Sequence, residues 1–215
     1  MKAYKCMFKT AEVADSAAFY KEFEQVCSTE LTPAYSGSDA WTGVRVFDLR
    51  GTNRLSELPY LRAQLEKIGM KNIAMVNYYN MAPHSEQHAH RDQSGNLLFG
   101  ISRLHIPLKT NPLAFLEIEH IRYHLKLNEV WALDTSGLHA AQNESDEGRV
   151  HLVIDVKRSP ETEKYFPKMT FAVRLHLAKF ILIMGFKVVR DIITKPATIM
   201  DRMTYIVKMM TKSKT

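Results

Sequence analysis

The segment TSGLHAAQNESDEGRVHLVIDV, residues 135–156, places a polar turn between two stretches that alternate in polarity. Such alternation is typical of strands, because successive residues of a strand point to opposite faces. If a hairpin is centred on Ser145, His139 lies opposite His151, and Arg149 is a diagonal neighbour of His139 at about 7–8 Å. An imidazole and a guanidinium at that distance suit a short dicarboxylic acid that chelates a metal and also meets an arginine. The alternative is that Arg149 only caps a surface hairpin.

The segments around this one predict a mainly β domain with helices at both ends. Short stretches of two-residue period, separated by turn signals such as TNP and LNE, favour a barrel or sandwich. The predicted strands span residues 44–51, 72–83, 102–110, 114–125, 129–137 and 149–158. Three-to-four spacing of apolar residues predicts helices over 10–27, 56–69 and from 167 onward.

The stretch HAHRDQSG, residues 88–95, contains the strongest candidate metal ligands. His90 and Asp92 are two positions apart and would share one face of a strand. With one distant histidine they would form the two-histidine, one-carboxylate triad of non-haem iron(II) oxygenases. The pair alone is a weak signal, since His-x-Asp arises by chance. His84 and His88 are expected at the rim of the site, and strand alternation turns Arg91 away from the metal.

A third stretch, SRLHIPL at residues 102–108, predicts a strand with two different faces. Arg103 and His105 share one face, and Leu104, Ile106 and Leu108 share the other. A strand with one apolar face and one face of Arg and His would line a polar cavity. The alternative is that the polar face lies in solvent, as is common in antiparallel sheets.

Composition and charge divide the chain into two parts. The 215 residues are 46% hydrophobic and include only two cysteines, Cys6 and Cys27, which favours a folded protein of a reducing compartment. The first residues lack the apolar run of a signal peptide, so a cytoplasmic location is expected. Residues 161–215 contain eleven basic and four acidic side chains, a net charge of +7, so residues 1–160 carry −1 of the total +6. We therefore expect one domain over 1–160 and a basic, Met-rich helical extension over 161–215.

The extension contains a short apolar run from Phe180 to Phe186 between Lys179 and Lys187. Seven residues cannot cross a bilayer, which needs about 20. Three alternatives remain: packing of this helix on the domain or in a homodimer, contact with an acidic partner, and contact with an anionic membrane surface that would make the protein peripheral to the membrane. The aromatic residues of the extension resemble core positions rather than a stacking array, which argues against nucleic acid.

The ordered set HRD, RLHIPL and EVWALDTSGLHAAQNESDEGRVHLVIDV, within roughly residues 70–157, resembles the aspartyl/asparaginyl β-hydroxylase family of iron(II)/2-oxoglutarate-dependent oxygenases. Its most specific part is the block W…DTS…H…N…R…D, with Arg149 ten residues after His139. The resemblance implies a double-stranded β-helix, the jelly-roll or cupin form, as a mainly β core with flanking helices. Residues 160–215 show no such resemblance.

The family pattern also implies roles for individual residues. His90, Asp92 and His139 would be the iron ligands. Arg149 would bind the distal carboxylate of 2-oxoglutarate. Arg103 and His105 would support the carboxylate of the cosubstrate or substrate.

The implied activity is hydroxylation of an unactivated C–H bond with Fe(II), 2-oxoglutarate and O2, releasing succinate and CO2. Asp92 favours hydroxylation, because related halogenating enzymes have a small residue at this ligand position. The substrate class stays open: an amino acid, a peptidyl side chain or another small carboxylate, or a lipid or glycan-linked group met at a membrane surface. The competing class is a jelly-roll binding protein without catalysis, although all four residues of the implied site are present.

Overall fold

The computed structural model describes residues 4–27, 31–33 and 40–194, which form eleven strands and three α-helices. The strands are β1 (Met7–Val13), β2 (Thr32–Pro33), β3 (Trp41–Asp48), β4 (Ile73–Met81), β5 (Ser85–His90), β6 (Ile101–Lys109), β7 (Ala114–Ile118), β8 (Ile121–Tyr123), β9 (Glu129–Leu133), β10 (His139–Asn143) and β11 (Arg149–Lys157). The helices are α1 (Ser16–Cys27), α2 (Pro59–Ile68) and α3 (Phe171–Thr194).

The strands form two antiparallel sheets that pack face to face. The larger sheet has the order β1-β9-β6-β11-β4-β3-β2, and the smaller has the order β5-β10-β7-β8. Met81 and Leu133 of the larger sheet share a buried cluster with Leu116, Ile118 and Ala141 of the smaller one. Two facing antiparallel sheets with helices outside them match the predicted mainly β, jelly-roll architecture.

The main core lies between the outer face of the larger sheet and the first two helices. Leu104 and Ile106 of β6 contribute to a buried cluster with residues of β11, α1 and α2, among them Leu152, Ile154, Phe19, Phe23, Leu61 and Leu65. Burial of each such side chain stabilises the fold by about 1.5–3 kcal/mol. Arg103 and His105 have the opposite parity on β6 and line the space between the sheets. The predicted two-faced strand is therefore confirmed.

The predicted helix over residues 10–27 is wrong at its start. Residues up to Val13 belong to β1, which pairs antiparallel with β9, and Thr10 Oγ1 donates to the Val130 carbonyl at 2.9 Å. The helix begins at Ser16, where the Asp15 carboxylate accepts from the Ala18 N–H at 3.0 Å and caps the first turn. A pairing partner more than a hundred residues away decides this boundary, so local spacing cannot show it.

The predicted hairpin centred on Ser145 is also wrong. β10 pairs with β5 and β7 in the smaller sheet, whereas β11 pairs with β4 and β6 in the larger sheet, so the chain changes sheets between them. The Asn143 side chain fixes this crossover, because its Nδ2 donates to the carbonyls of Ala82 and Glu147 at 2.9 and 2.7 Å. Ser145 Oγ donates back to Asn143 Oδ1 at 2.8 Å.

Helix α3 confirms a helical segment after residue 167, while the part of the predicted helical region after residue 194 lies outside the described residues. The first half of α3 packs on the domain through Val173, Leu177 and Phe180. Beyond Phe180 the described apolar side chains are largely in solvent: Ile181, Leu182, Ile183, Phe186 and Val189. The helices in the described ranges lack the combination of length and apolar character that a bilayer-crossing segment requires.

Candidate metal centre

The two histidines of the predicted triad face each other on neighbouring strands. His90 ends β5 and His139 begins β10, the two are register partners, and their ring centroids are 4.2 Å apart. In each ring Nδ1 lies 2.9 Å from a backbone carbonyl two residues earlier, that of His88 or Gly137. A carbonyl only accepts, so each Nδ1 carries the proton and each Nε2 keeps its lone pair for a metal. Burial lowers the pKa of His139 to about 4, which keeps that ring neutral.

Asp92 completes the triad. The sequence suggests that it lies within the same strand as His90, but β5 ends at His90 and Asp92 lies just beyond it. Its N–H donates to the Thr135 carbonyl at 3.0 Å, which draws the chain toward the segment before His139. Asp92 Oδ1 lies 3.6 Å from His90 Nε2, and the ligand atoms of all three side chains lie within 4.8 Å of one another. Burial opposes ionisation of Asp92, but Arg103 and the two histidines outweigh it and lower the pKa of this carboxyl.

Arg103 lies between two carboxylates. Its Nε and one terminal nitrogen donate to both oxygens of Asp155 at 2.7 and 2.9 Å, and its other terminal nitrogen donates to Asp92 Oδ2 at 2.7 Å. Asp155 is buried on β11, directly opposite Arg103 on β6. This arrangement engages one oxygen of Asp92 and leaves Oδ1 turned toward the histidines.

Arg149 is buried without an acidic partner. Its guanidinium contacts the two ring nitrogens of His151 at 3.1 and 3.0 Å and the sulfur of Met81 at 3.6 Å. No carboxylate among the described residues forms an ion pair with it, and burial lowers its pKa to about 10. His105 lies on the other side of His151 from Arg149. Its Nδ1 is 3.4 Å from His151 Nδ1, while its buried Nε2 has no hydrogen-bond partner among the described residues. Burial and the Arg149 charge hold the pKa of His105 well below its usual range.

These residues surround a cavity of about 480 Å³ between the two sheets. His90, Asp92, His139, Arg103 and His105, which are five of the six predicted site residues, line it. Arg149, the sixth, does not line it and lies behind His105 next to His151.

Asn77 and Tyr79 have the same parity on the strand before the motif and are expected to face the cavity; Tyr79 lines it and Asn77 does not. Three further residues of the site are not among those predicted for it: Arg45 and Gln87 line the cavity, and Asp155 holds Arg103. Asp155 shares the parity of Arg149 on one strand, so extending the alternation along β11 could have found it. Arg45 and Gln87 have no comparable signal, because their place follows from the packing of the two sheets.

Of the other polar residues near the motif, His88 and Arg91 lie where the sequence suggests, whereas His84, expected at the rim, lies outside the cavity. His88 lines the mouth of the cavity with a largely exposed side chain, and exposed His84 pairs with Asp146 at 2.8 Å. Arg91 points away from the triad and donates to Glu119 Oε1 and to the Ser136 carbonyl, both at 2.7 Å.

The donor set fits a metal of the iron class. Two imidazoles whose Nε2 atoms face the same point and one ionised carboxylate, gathered beside a cavity, match the ligand types of the facial triad. A jelly-roll core with such a triad between its sheets defines the class of non-haem iron oxygenases.

Comparisons with known proteins place the chain within that class. The model of the family described as aspartyl/asparaginyl beta-hydroxylase matches residues 11–159, so the chain belongs to this family and is an oxygenase. No curated protein matches it.

Solved structures show the same fold at low sequence identity. The non-heme alpha ketoglutarate dependent carbocyclase SnoK from nogalamycin biosynthesis is 13% identical, with a TM-score of 0.57 over 71% of this chain and 79% of that one. The corresponding epimerase SnoN is 10% identical, with a TM-score of 0.55 over 71% and 76%. An oxidoreductase of the 2OG-Fe(II) oxygenase family from Burkholderia pseudomallei is 14% identical, with a TM-score of 0.54 over 72% and 86%. The predicted fold is confirmed, and the predicted Fe(II) and 2-oxoglutarate are the cofactors that the descriptions of these neighbours name.

Proposed function

We propose that this oxygenase hydroxylates an unactivated C–H bond of a small carboxylate-bearing substrate, an amino acid or an amino-acid side chain of a peptide. The observation that supports it best is that the triad lies near the buried Arg149 guanidinium, which has no acidic partner among the described residues. A charged group removed from water is costly unless an opposite charge meets it. Arg149 is therefore suited to a dicarboxylic cosubstrate whose other end lies at the metal.

The iron ligands would be the three residues expected from the sequence, whereas Arg103 would not make the carboxylate contact expected of it, because its nitrogens already donate to Asp155 and Asp92. His90, Asp92 and His139 would hold the iron, and Arg103 would fix the orientation of Asp92 from the larger sheet. Bound iron and 2-oxoglutarate supply the oxidising chemistry that places one oxygen atom of O2 in the substrate and releases succinate and CO2.

The cosubstrate would be held at both ends, one end in the cavity at the metal and the other at Arg149 behind His105. Arg149 would exchange its contacts with neutral His151 for a carboxylate, which is favourable because an opposite charge then meets the buried guanidinium. The buried Nε2 of His105 offers a further polar contact in front of it. Tyr79, whose hydroxyl accepts from Asn77 Nδ2 at 2.8 Å, keeps its own hydrogen for a ligand oxygen.

The test combines metal binding with turnover. Protein without oxygen receives Fe(II) and 2-oxoglutarate, and the visible charge-transfer band of the chelate is recorded. Oxygen and a panel of amino acids and peptides follow, with succinate and a substrate mass gain of one oxygen as readouts. Asp92→Ala and His139→Ala should lose both signals, while His84→Ala, an exposed neighbour outside the cavity, should keep them. A wild-type protein that forms no band and no succinate would support the non-catalytic binding protein instead.

We further propose that α3 is the surface through which this oxygenase meets a second copy of itself. The side chains that support this are the exposed apolar ones beyond Phe180, which a single chain leaves in water within the described residues. Light scattering across a concentration series should show a dimer that Phe186→Glu weakens. Binding of the full chain to anionic vesicles without any dimer would favour the peripheral membrane location and a lipid or glycan-linked substrate. The division at residue 160 and the cytoplasmic location stay predictions.

A further inference from the structure

A second group of metal-ligand side chains lies outside the cavity. Cys6 precedes β1, Glu119 lies in the turn between β7 and β8, and His176 lies on α3. Their ligand atoms all lie within 4.8 Å of one another, and Cys6 Sγ is 3.7 Å from His176 Nε2. Three parts of the chain that are far apart in sequence therefore bring a thiol, a carboxylate and an imidazole to one point.

Backbone contacts hold the first two of these residues in place. The Cys6 carbonyl accepts from the Asp134 N–H at 2.7 Å, and its side chain lies against Gly137, where an added Cβ would come within 2.7 Å of the sulfur. Any larger residue at 137 would thus displace the thiol. Glu119 Oε1 accepts from Arg91 and from the Leu138 N–H, both at 2.7 Å. No hydrogen bond from the described residues goes to its other oxygen, which is left for a ligand.

The imidazole of His176 is aimed at the same point from the helix. Its Nε2 lies 3.0 Å from Ser136 Oγ and 4.0 Å from Asp134 Oδ2, and its ring meets the Tyr4 ring edge-on at 5.2 Å. The group is partly sheltered: Cys6 and Asp134 are buried, whereas the side chains of His176 and Glu119 are 17% and 34% exposed.

The charges around this point favour a cation. Glu119 and Asp134 bring two carboxylates, whereas Arg91 is the one guanidinium that contacts either of them among the described ion pairs. Sulfur, nitrogen and oxygen donors together are the ligand types of Zn²⁺, and a bound cation makes a coordinating thiol lose its proton. A divalent ion with one thiolate would bring the local charge close to zero.

We propose that Cys6, Glu119 and His176 form a second metal site that takes a zinc-class divalent cation and fastens α3 to the jelly roll. The thiol proton goes to solvent when the metal–sulfur bond forms, so binding releases one proton and involves no redox step. Because the ligands come from the chain start, the smaller sheet and α3, the ion would link these elements directly. The site is separate from the triad and does not depend on the proposed substrate.

Cobalt(II) distinguishes the two sites in the full-length protein. Only the second site has a sulfur ligand, so only it gives the near-ultraviolet charge-transfer band of a cobalt–thiolate bond. The band should appear in the wild type, survive in His139→Ala, which removes the triad, and survive in Cys27→Ser, the matched control at the other cysteine. It should disappear in Cys6→Ser, and His176→Ala should weaken cobalt binding by roughly 10-fold or more.

A second measurement needs no variant. Zn²⁺ added to the wild-type protein should slow alkylation of Cys6 by a thiol reagent. Mass spectrometry of the labelled peptide measures the alkylation rate. A cobalt titration without a thiolate band, a band that persists in Cys6→Ser, or an alkylation rate unchanged by Zn²⁺ would each overturn the proposal. The cluster would then be a buried hydrogen-bonded contact that docks α3.

Discussion

Replacing Arg149 with methionine should weaken cosubstrate binding while leaving the stability of the fold nearly unchanged, because the Arg149 charge is buried without an acidic partner among the described residues. Burial lowers its pKa from its usual value to about 10, which corresponds to a cost of about 3 kcal/mol for burying the charged form. The pKa in the folded state is below that of the unfolded chain, so folding disfavours the charged form, and this cost is fully present at neutral pH. Methionine removes the cost and also loses the contacts to His151, worth about 1.5–3 kcal/mol. The apo stability of Arg149→Met should therefore stay close to that of the wild type.

The matched control is Arg103→Met, which removes the same side chain from an ion-paired position. Arg103 donates to Asp155 and Asp92, both of which would remain facing the cavity without a cation. Breaking such buried pairs costs about 3–5 kcal/mol. Two Arg→Met changes at buried guanidinium groups should thus differ by roughly 3 kcal/mol or more in the free energy of unfolding.

Although its stability should stay close to that of the wild type, Arg149→Met should bind 2-oxoglutarate much more weakly. Loss of a buried charge partner costs about 2–5 kcal/mol, roughly a 30- to 4,000-fold weaker affinity for 2-oxoglutarate. Urea denaturation of the apo proteins gives the stabilities, and anaerobic titration with Fe(II) and 2-oxoglutarate gives the affinities. The reasoning is refuted if Arg149→Met unfolds as easily as Arg103→Met and binds 2-oxoglutarate as tightly as the wild type.

Three further predictions concern the scaffold. Glu22 accepts from the first N–H groups of α2, so Glu22→Ala should lower the free energy of unfolding, measured by urea denaturation, by about 1–2 kcal/mol. The control Glu24→Ala, at an exposed position, should change it very little, and equal losses in the two variants would contradict this role of Glu22. Asn143→Ala should cost about 2–3 kcal/mol, because it frees buried carbonyls at the sheet crossover, and an unchanged denaturation midpoint would argue against that role. Burial opposes ionisation of Asp48, but backbone N–H groups and Arg45 outweigh it and lower the pKa of this carboxyl. The ionised Asp48 therefore stabilises the fold above the unfolded pKa of about 3.9, and this stabilisation is lost as pH falls through the lower folded pKa. Asp48→Asn should flatten the acid side of a stability–pH curve, and an identical acid side would exclude the carboxylate as its source.

Local periodicity is sufficient to predict which residues share a strand face, but it does not predict which strands pair with one another. On β6, alternation separates Arg103 and His105 from the leucines and isoleucine that pack on the helices, and the structure has the same two faces. The same alternation in β10 and β11 fits a hairpin and a sheet crossover equally well, since both have a polar turn between two strands. The strand partners of β10 and β11 decide between them, and the contacts of Asn143 hold the crossover in place.

The triad shows why residue identities were easier to predict than their geometry. His90 and His139 depend on one pairing within the smaller sheet, which sets their rings side by side. Asp92 lies beyond the strand, and its carboxylate is oriented from the larger sheet through Arg103, which Asp155 holds in turn. The metal site is thus assembled across both sheets, so a change at Asp155, buried on β11, should reach the metal ligands through the Arg103 guanidinium. No short motif contains that relation, because it joins residues 92, 103 and 155 only after the two sheets have packed.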